Sequence, residues 1–373
     1  MTKEIILDKL EKVVNKLKNL DNPKIDKDNL KKEDFAKGII KRDFGIDEWD
    51  WPQGVGIFGL NQLQKLYPDR FDNNNFLFNW YKKNIEIGLP SRNINTTVPL
   101  LTLLDISDIY PNEGFDKLCL EWVNNIMENF PRTKEGGIQH VTTSLTDRNG
   151  ISLNEGHIWI DTLFMLNLFL NKIGVKYNNI KWIDESIYQV IIHIKYLYDK
   201  KTHLFHHGWN FLENHNFGEV FWCRGNSWFT LMSMYFIENS GKYLNDSIKD
   251  FIIYSYKAQV NSLIELQDKS GGWNTILDDT DSYLETSGSA SIVAGIFKGM
   301  YDNVLDKSYE EYAFKGLEFL LNNINDDGIV LNVSGGTNIG MNKEHYKNII
   351  IAPMAYGQSL TILALVEALK YMK

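Results

Sequence analysis

The stretch 222–236, WCRGNSWFTLMSMYF, has an apolar or small side chain at almost every position. The stretch 159–170, WIDTLFMLNLFL, has the same character and begins 63 residues earlier in the chain. A helix that is apolar around its whole circumference must be buried among other helices, because it has no polar face for solvent. Both stretches therefore predict inner helices that other helices cover.

The rest of the chain alternates between two kinds of predicted helix. One kind is amphipathic with a lysine-rich polar face, and it is expected at residues 4–20, 73–87, 114–129, 180–198, 244–267 and 307–323. The other kind is apolar nearly all round, and it is expected to begin near residues 51, 95, 158, 222, 284 and 353. Six buried and six covering helices predict an all-α protein with an (α/α)6 toroid, with short hairpins confined to the loops.

We expect this toroid to be a single domain that spans residues 1–373. The alternative is an irregular helical solenoid, but successive inner helices are expected to begin 44 to 69 residues apart. Stacked helical repeats are mostly shorter, at about 34 to 47 residues. The run 54–59, GVGIFG, superficially resembles a phosphate-binding loop, but no strand precedes it. We expect these glycines to allow close packing between helices instead.

Composition and charge exclude several classes of protein. The net charge of −9 is the opposite of the basic surface that nucleic-acid-binding proteins carry. No stretch approaches the roughly 18 apolar residues of a membrane span, and the N-terminal segment lacks the apolar core of a signal peptide. Cys119 and Cys223 are too few for a disulfide framework, which favours a reducing, cytoplasmic location. No histidine or cysteine spacing is typical of a metal site, so neither a metal nor a cofactor is expected.

The loops that precede the inner helices should meet at one end of the toroid and form a funnel. Helix N-termini carry partial positive charge, so this funnel favours an anionic ligand. The polar and aromatic residues that interrupt the apolar pattern there are the candidates for a site: Asp161 as the catalytic residue, and His140, Trp159, His207, Trp222, Arg224 and Trp228 as substrate-binding residues.

The types of these residues point to an acidic sugar. Indole faces stack on pyranose rings, and arginine binds carboxylates in a bidentate manner. Asp161 is either a helix cap or an acid whose pKa is raised by burial beside Trp159. Arg224 is either a clamp for a sugar carboxylate or a structural arginine held between Trp222 and Trp228. Glu285, which follows the acidic run 278–281, is the rival source of an acidic catalyst.

Five blocks of sequence resemble one known family. They are GGIQH at 136–140, NEGHIWIDTLFM at 154–165, HGW at 207–209, WCRGNSW at 222–228 and LDDTDSYLETS at 277–287. In this order they are similar to the unsaturated rhamnogalacturonyl hydrolases, glycoside hydrolase family 105, over roughly residues 50 to 370. The unsaturated glucuronyl hydrolases of family 88 are more distant and share the toroid.

The resemblance implies an enzyme that removes a 4,5-unsaturated uronic acid from the non-reducing end of oligosaccharides made by polysaccharide lyases. It also implies hydration of the C4=C5 double bond, with Asp161 as general acid and then base. His140, His207, Trp222, Arg224 and Trp228 match residues that line the sugar. The second aspartate that family 88 places near its second inner helix has no match in the stretch 92–97, RNINTT. Glu285 or Asp105 would have to supply a second carboxylate.

Two other functions remain open from the residues alone. A different toroid enzyme, such as an epimerase or an ordinary inverting glycosidase, would need two catalytic groups across the funnel, for example Asp161 and Glu285. A non-catalytic sugar-binding protein would keep the tryptophans and Arg224 but would have no use for Asp161.

Overall fold

The computed structural model describes residues 2–21, 44–144 and 147–373. Its α-helices are α1 (Lys3–Lys18), α2 (Trp51–Leu66), α3 (Asn73–Ile87), α4 (Ile94–Ile109), α5 (Phe115–Asn129), α6 (Leu168–Lys176), α7 (Ile180–Leu197), α8 (Cys223–Ser240), α9 (Asp246–Glu265), α10 (Thr286–Tyr301), α11 (Glu310–Asn322), α12 (Lys343–Lys347) and α13 (Ala355–Tyr371). A π-helical turn, Leu163–Asn167, leads directly into α6. The strands are β1 (Val141–Thr143), β2 (Ile151–Leu153), β3 (His157–Trp159), β4 (Gly208–Asn210), β5 (Trp273–Asn274) and β6 (Leu284–Glu285).

The inner helices form a closed ring. Helix α2 packs on α4, α4 on the π-turn and α6, these on α8, α8 on α10, α10 on α13, and α13 returns to α2. Closure gives each inner helix a neighbour on both sides, so most side chains of α2, α4, α8, α10 and α13 are buried. The predicted (α/α)6 toroid is confirmed, and the solenoid alternative is wrong, because a solenoid would leave its two end helices apart.

The amphipathic helices cover this ring from outside. Helix α3 packs on α2 and α4, α5 on α4, α7 on α6, α9 on α8 and α11 on α10. The N-terminal helix α1 completes the layer by packing on the C-terminal helix α13. Its apolar residues Ile6, Leu10, Val13, Val14 and Leu17 are all buried. No helix of the described residues is both long and apolar enough to span a membrane.

The glycines of α2 serve helix packing, as the sequence predicted. A Cβ on Gly54 would lie 2.8 Å from Val98 of α4, and one on Gly56 would lie 2.7 Å from the hydroxyl of Ser359 on α13. Neighbouring inner helices therefore approach α2 more closely than any side chain would allow.

The third inner helix begins later than predicted. Residues 157–159 form strand β3, which pairs antiparallel with β4 so that Trp159 lies opposite Gly208. This pairing satisfies backbone groups that a helix from residue 158 would otherwise have used. The short strands pair as β1–β2, β3–β4 and β5–β6 and lie in the loops, as expected.

Candidate active site

The β3–β4 pair sets the position of the central residues. The backbone N–H of Ile160 donates to the carbonyl of His207 at 2.9 Å, which continues the pairing past Trp159. Asp161 follows at once, in the turn before the π-helical segment, and its carbonyl accepts from the N–H of Met165 at 2.9 Å. Asp161 is therefore held by a strand pair on one side and a helix start on the other.

Two predicted residues contact the Asp161 carboxylate. The indole Nε1 of Trp228 donates to Oδ1 at 3.1 Å. His207 Nε2 lies 3.4 Å from Oδ2, longer than a well-formed hydrogen bond. The Asp161 side chain keeps 16% of its surface exposed, whereas that of His207 keeps 2%. One carboxylate oxygen is thus firmly held, and the other is left with a single loose contact.

Four of the predicted rings form a continuous row beside Asp161. The imidazole of His140 stacks on Trp159 with ring centres 4.0 Å apart and an interplanar angle of 8°. The Trp159 ring lies 5.1 Å from His207, and His207 lies 4.4 Å from Trp222. His206, the neighbour of His207, instead stacks on Phe221. The structure thus places His207, the histidine named from the sequence, and not His206 beside Trp159.

The indoles do not present the open faces that the sequence predicted. Trp159, Trp222 and Trp228 are 5%, 2% and 0% exposed, because other rings cover them. Trp228 packs against Phe164 at 5.2 Å, and Trp222 is covered by His207 and by the guanidinium of Arg224. The covered faces differ from the open stacking surfaces expected from the sequence, and a role of the three indoles in binding substrate stays a prediction.

Asp161 and the row of rings beside it contain several buried polar atoms without a hydrogen-bond partner. Within the described part of the chain they include His140 Nδ1, Trp159 Nε1, Asp161 Oδ2, His207 Nε2 and Trp222 Nε1. A folded protein pairs the large majority of its buried polar groups, so each exception calls for a reason. Unpartnered nitrogens on the rings beside Asp161 are suited to a polar ligand that supplies the missing partners.

Electrostatics make Asp161 a carboxylate in the free protein. Burial on its own would raise the pKa of Asp161, but the contact with His207 outweighs it, with help from the positive charge of Arg224. The pKa of Asp161 is therefore below its ordinary value, and the expected rise is wrong for the unliganded state. Burial also lowers the pKa of His140 to about 3 and lowers the pKa of His207, which favours neutral rings.

Arg224 is occupied by the protein itself. Its guanidinium is 1% exposed and lies between the rings of Trp222 and Tyr356, each 4.7 Å away. It donates to Ser287 Oγ at the start of α10 and to the loop that follows Val333, where the acceptors are the Ser334 carbonyl and Oγ, the Gly335 carbonyl and Thr337 Oγ1. Arg224 is thus held structurally rather than free as a clamp, but between Trp222 and Tyr356 and not between Trp222 and Trp228 as the alternative had it.

Neither of the two other candidate carboxylates, Glu285 and Asp105, is available to act beside Asp161. Glu285 is 0% exposed and caps α10, accepting from the N–H groups of Ser287 and Gly288, and it also accepts from the N–H of Ser334. Asp105 lies at the opposite end of the toroid, paired with Lys65 and Lys172 near the C-terminal ends of α2 and α6. Neither carboxylate faces Asp161.

Asn93, in the stretch 92–97 that lacks a second aspartate, has a structural role. Asn93 is buried and caps α4, with its Oδ1 accepting from the N–H of Thr96 at 3.1 Å. Its Nδ2 donates to the Ser91 carbonyl and to Thr143 Oγ1. The side chain is thus engaged on both its oxygen and its nitrogen, which leaves it little capacity to assist Asp161.

A separate cavity of about 470 Å³ opens at the same end as Asp105. Its lining includes Lys65, Lys172 and Lys370, whose charges are near Asp105 and Glu367. It is not the candidate site, because none of the predicted site residues lines it.

Sequence reasoning missed two aromatic residues of the site. Trp51, the first residue of α2, is half-buried, stacks on Tyr356 at 4.6 Å and meets Trp228 edge-on at 5.9 Å. It could have been found, because it is a tryptophan at the start of an inner helix like Trp222. Tyr346 contacts His207 from a loop far along the chain, and no local pattern indicates it.

Comparisons with known proteins agree with this geometry. The model of the family described as Glycosyl Hydrolase Family 88 matches residues 31–372 of this chain. The unsaturated rhamnogalacturonyl hydrolase YesR of Bacillus subtilis is 31% identical over 340 residues, which cover 90% of this chain and 94% of YesR.

Solved structures show the same relationship. A possible member of the GH105 family from Klebsiella pneumoniae is 31% identical, with a TM-score of 0.90, over 100% of this chain and 95% of that chain. The unsaturated glucuronyl hydrolase of Bacillus sp. GL1 is 15% identical, with a TM-score of 0.70 over 99% and 97% of the two chains, and shows the shared fold alone. The family match over most of the chain, together with the toroid and the site built around Asp161, shows that this chain belongs to glycosyl hydrolase family 88.

Proposed function

We propose that this protein is an unsaturated uronyl hydrolase that acts on oligosaccharides produced by polysaccharide lyases. It would release a 4,5-unsaturated uronic acid from the non-reducing end, with rhamnogalacturonan fragments as the expected substrate. The relative YesR is an unsaturated rhamnogalacturonyl hydrolase and is similar along almost its whole length. The observation that carries the proposal is the group of unpartnered buried polar atoms around Asp161, which a sugar acid can satisfy.

The proposed reaction is hydration of the C4=C5 double bond. Protonated Asp161 gives its proton to C4, and the positive charge that develops is shared by C5 and the ring oxygen. Water then adds at C5 and gives up a proton to the Asp161 carboxylate, which restores the acid. The product is a hemiketal, which opens to a ketone at C5 and releases the remaining sugar from C1.

Asp161 must acquire a proton for this step, although its pKa is lowered in the free protein. The substrate brings its own carboxylate and displaces water from the funnel. A nearby negative charge and a loss of solvation both raise the pKa of a carboxyl group. Binding of the uronate therefore favours the protonated form of Asp161 that the reaction needs.

The other residues divide between contact and support. The unpartnered nitrogens of His140, Trp159 and Trp222 are available to bind hydroxyl and carboxylate oxygens of the sugar. His207 and Trp228 face the two oxygens of Asp161 and stabilise the carboxylate that is left after proton transfer. Arg224 supports the site by holding the loop at residues 334–337.

An ordinary glycosidase mechanism is less well supported. It needs two carboxyl groups on either side of the scissile bond, but the carboxylate of Glu285 is buried and accepts backbone hydrogen bonds.

Both cysteines of the chain, Cys119 and Cys223, are buried and free, which supports a location in the reducing cytoplasm.

The experiment uses the ultraviolet absorbance of the C4=C5 double bond. Purified protein is mixed with unsaturated disaccharides prepared by rhamnogalacturonan, ulvan and glycosaminoglycan lyases, and with a saturated disaccharide as control. We expect the absorbance to fall with the rhamnogalacturonan product, and deuterium to appear at C4 when the reaction is run in heavy water. Folded protein that consumes none of the unsaturated substrates, or that cleaves the saturated control equally well, would contradict the proposal.

A further inference from the structure

A tyrosine from a distant loop completes the surroundings of His207. Tyr346 lies in the short helix α12, whose start is capped by Asn342, and its side chain is almost fully buried at 1% exposure. Its ring lies 5.9 Å from the His207 ring and 6.2 Å from Trp222. The tyrosine thus extends the row of rings beside Asp161 from the side opposite His140.

The hydroxyl of Tyr346 has two close partners. Its Oη lies 2.8 Å from Nδ1 of His207, and it accepts a hydrogen bond from the backbone N–H of Gly340 at 3.1 Å. The close approach of this loop depends on glycine, since a Cβ on Gly340 would lie 2.4 Å from the His345 ring. The contact with His207 ties the C-terminal part of the segment 334–346 to the site, and Arg224 holds the N-terminal part of the same segment.

The direction of the Tyr346–His207 hydrogen bond follows from counting donors and acceptors. A phenol has one hydrogen to donate, and here the Gly340 N–H already uses Oη as an acceptor. Among the described residues, Nδ1 of His207 is the acceptor that the structure gives to that hydrogen. The reverse arrangement would leave a buried hydroxyl hydrogen without a partner, which is unfavourable. Tyr346 therefore donates to Nδ1.

The donated bond determines where His207 carries its own hydrogen. In a neutral imidazole one nitrogen accepts and the other bears the hydrogen, so an accepting Nδ1 places the hydrogen on Nε2. Nε2 is the nitrogen that lies 3.4 Å from Asp161 Oδ2. The opposite tautomer would direct a lone pair at the carboxylate and repel it.

We propose that Tyr346 is a positioning residue, which holds His207 as its Nε2–H tautomer and directs that hydrogen at Asp161. Trp228 donates to Oδ1, and the Nε2–H of His207 then points toward Oδ2 from 3.4 Å when the carboxylate forms after proton delivery. The role of Tyr346 in turnover rests on the proposed function, whereas its effect on the tautomer of His207 can be measured without any substrate.

The test combines spectroscopy with kinetics. Nitrogen NMR of the protein labelled at histidine reports the tautomer, and the signals of His207 are identified by comparison with the His207→Asn variant. Tyr346→Phe keeps the ring and removes only the hydroxyl. The matched control is Tyr283→Phe, which removes a neighbouring hydroxyl that donates to the main-chain carbonyl of Tyr346 at 3.3 Å. Rates are measured by loss of the C4=C5 absorbance.

We expect wild-type His207 to be the Nε2–H tautomer and to lose that preference in Tyr346→Phe. The loss of one hydrogen bond should lower kcat roughly 10-fold, with KM little changed. Tyr283→Phe should resemble the wild type in both measurements. Overturning results would be an Nδ1–H His207 in the wild type, an unchanged tautomer in Tyr346→Phe, or an equal loss of kcat in the control.

These outcomes separate the two proposals. Wild-type protein that consumes no unsaturated substrate would overturn the proposed function, and with it the part of Tyr346 in catalysis. Active wild-type protein with the wrong tautomer at His207 would overturn the positioning role alone.

Discussion

Trp228 Nε1 donates a hydrogen bond of 3.1 Å to Asp161 Oδ1, and this bond joins α8 to the turn before the third inner helix. Trp228 is 0% exposed, so its ring lies in the core and its N–H is the part that reaches the site. A tryptophan expected to stack on a sugar therefore acts on the proposed acid instead.

Replacing Trp228 with Phe should lower kcat roughly 10-fold with little change in KM, because the Asp161 carboxylate loses one of its donors. Initial rates over a range of substrate concentrations provide both constants. Trp182→Phe, on the outer helix α7, is the control for the general cost of this substitution. A raised KM with an unchanged kcat would return Trp228 to a direct role in binding sugar.

Asp161→Asn should lower kcat by about 10²- to 10⁴-fold while leaving KM similar, because the amide cannot deliver a proton to C4. The exposed Asp281→Asn is the matched control in a neighbouring loop and should retain full activity. A non-catalytic sugar-binding protein would show no such difference. An active Asp161→Asn protein would remove Asp161 from the mechanism.

The pH dependence of the rate should differ between the free protein and the complex. The pKa of Asp161 is lowered in the free protein, so kcat/KM should fall about 10-fold per pH unit across the neutral range. The bound uronate raises the pKa, so kcat should stay level to a higher pH before it falls. Rate profiles measured from pH 5 to pH 9, as a working range of about four units, test this separation. Superimposable profiles for the two constants would contradict it.

Arg224→Ala should destabilise the fold rather than weaken substrate binding alone. Glu285 Oε1 lies 3.9 Å from the guanidinium, and both side chains are buried. Removing one partner leaves a buried charge, at a cost of about 3–5 kcal/mol in the free energy of unfolding. Arg70→Ala, which breaks the exposed pair with Glu11, should cost at most about 1 kcal/mol. Denaturant titrations of both variants give the comparison, and a fully stable Arg224→Ala protein with a raised KM would support the clamp.

Stability should decrease in mild acid because of buried neutral histidines. Burial lowers the pKa of His193 from 6.5 to about 4 and that of His140 to about 3. Between pH 6.5 and 4 the unfolded chain binds protons at these sites and the folded chain does not, so acid favours unfolding. His193→Gln should lose less stability between pH 7 and pH 5, by on the order of a few kcal/mol at most. Urea midpoints at the two pH values test this, with His215→Gln as the control.

Much of the fold could be predicted from local patterns. The two kinds of helix, their alternation and their approximate bounds follow from the period of apolar residues, because each helix interior is decided by its own side chains. The start of the third inner helix could not be predicted from local patterns. Residues 157–159 pair with residues 208–210, which lie about 50 positions further along the chain. Strand pairing of this kind is a contact at long sequence distance and competes with the local preference.

Some residues of the candidate site can likewise be identified from the sequence, and others only from the folded structure. Asp161, His140, His207 and the tryptophans stand out in the sequence because polar or aromatic residues interrupt apolar helices at their starts. Tyr346 does not stand out, since 139 residues separate it from His207. Arg224 stands out, but the sequence could not show that the loop at 334–337 uses its donors.

The sequence by itself determined the alternation of inner and outer helices that makes the toroid, and it singled out Asp161 as a candidate among the polar residues that interrupt it. Helical periodicity and the placement of polar residues are local properties, and they survive without knowledge of distant contacts. The tertiary structure alone decided which donors face Asp161, which indoles are covered, and whether the Asp161 carboxyl is ionised. Those properties depend on burial and on hydrogen bonds between segments far apart in the chain, and only the folded ring brings such segments together.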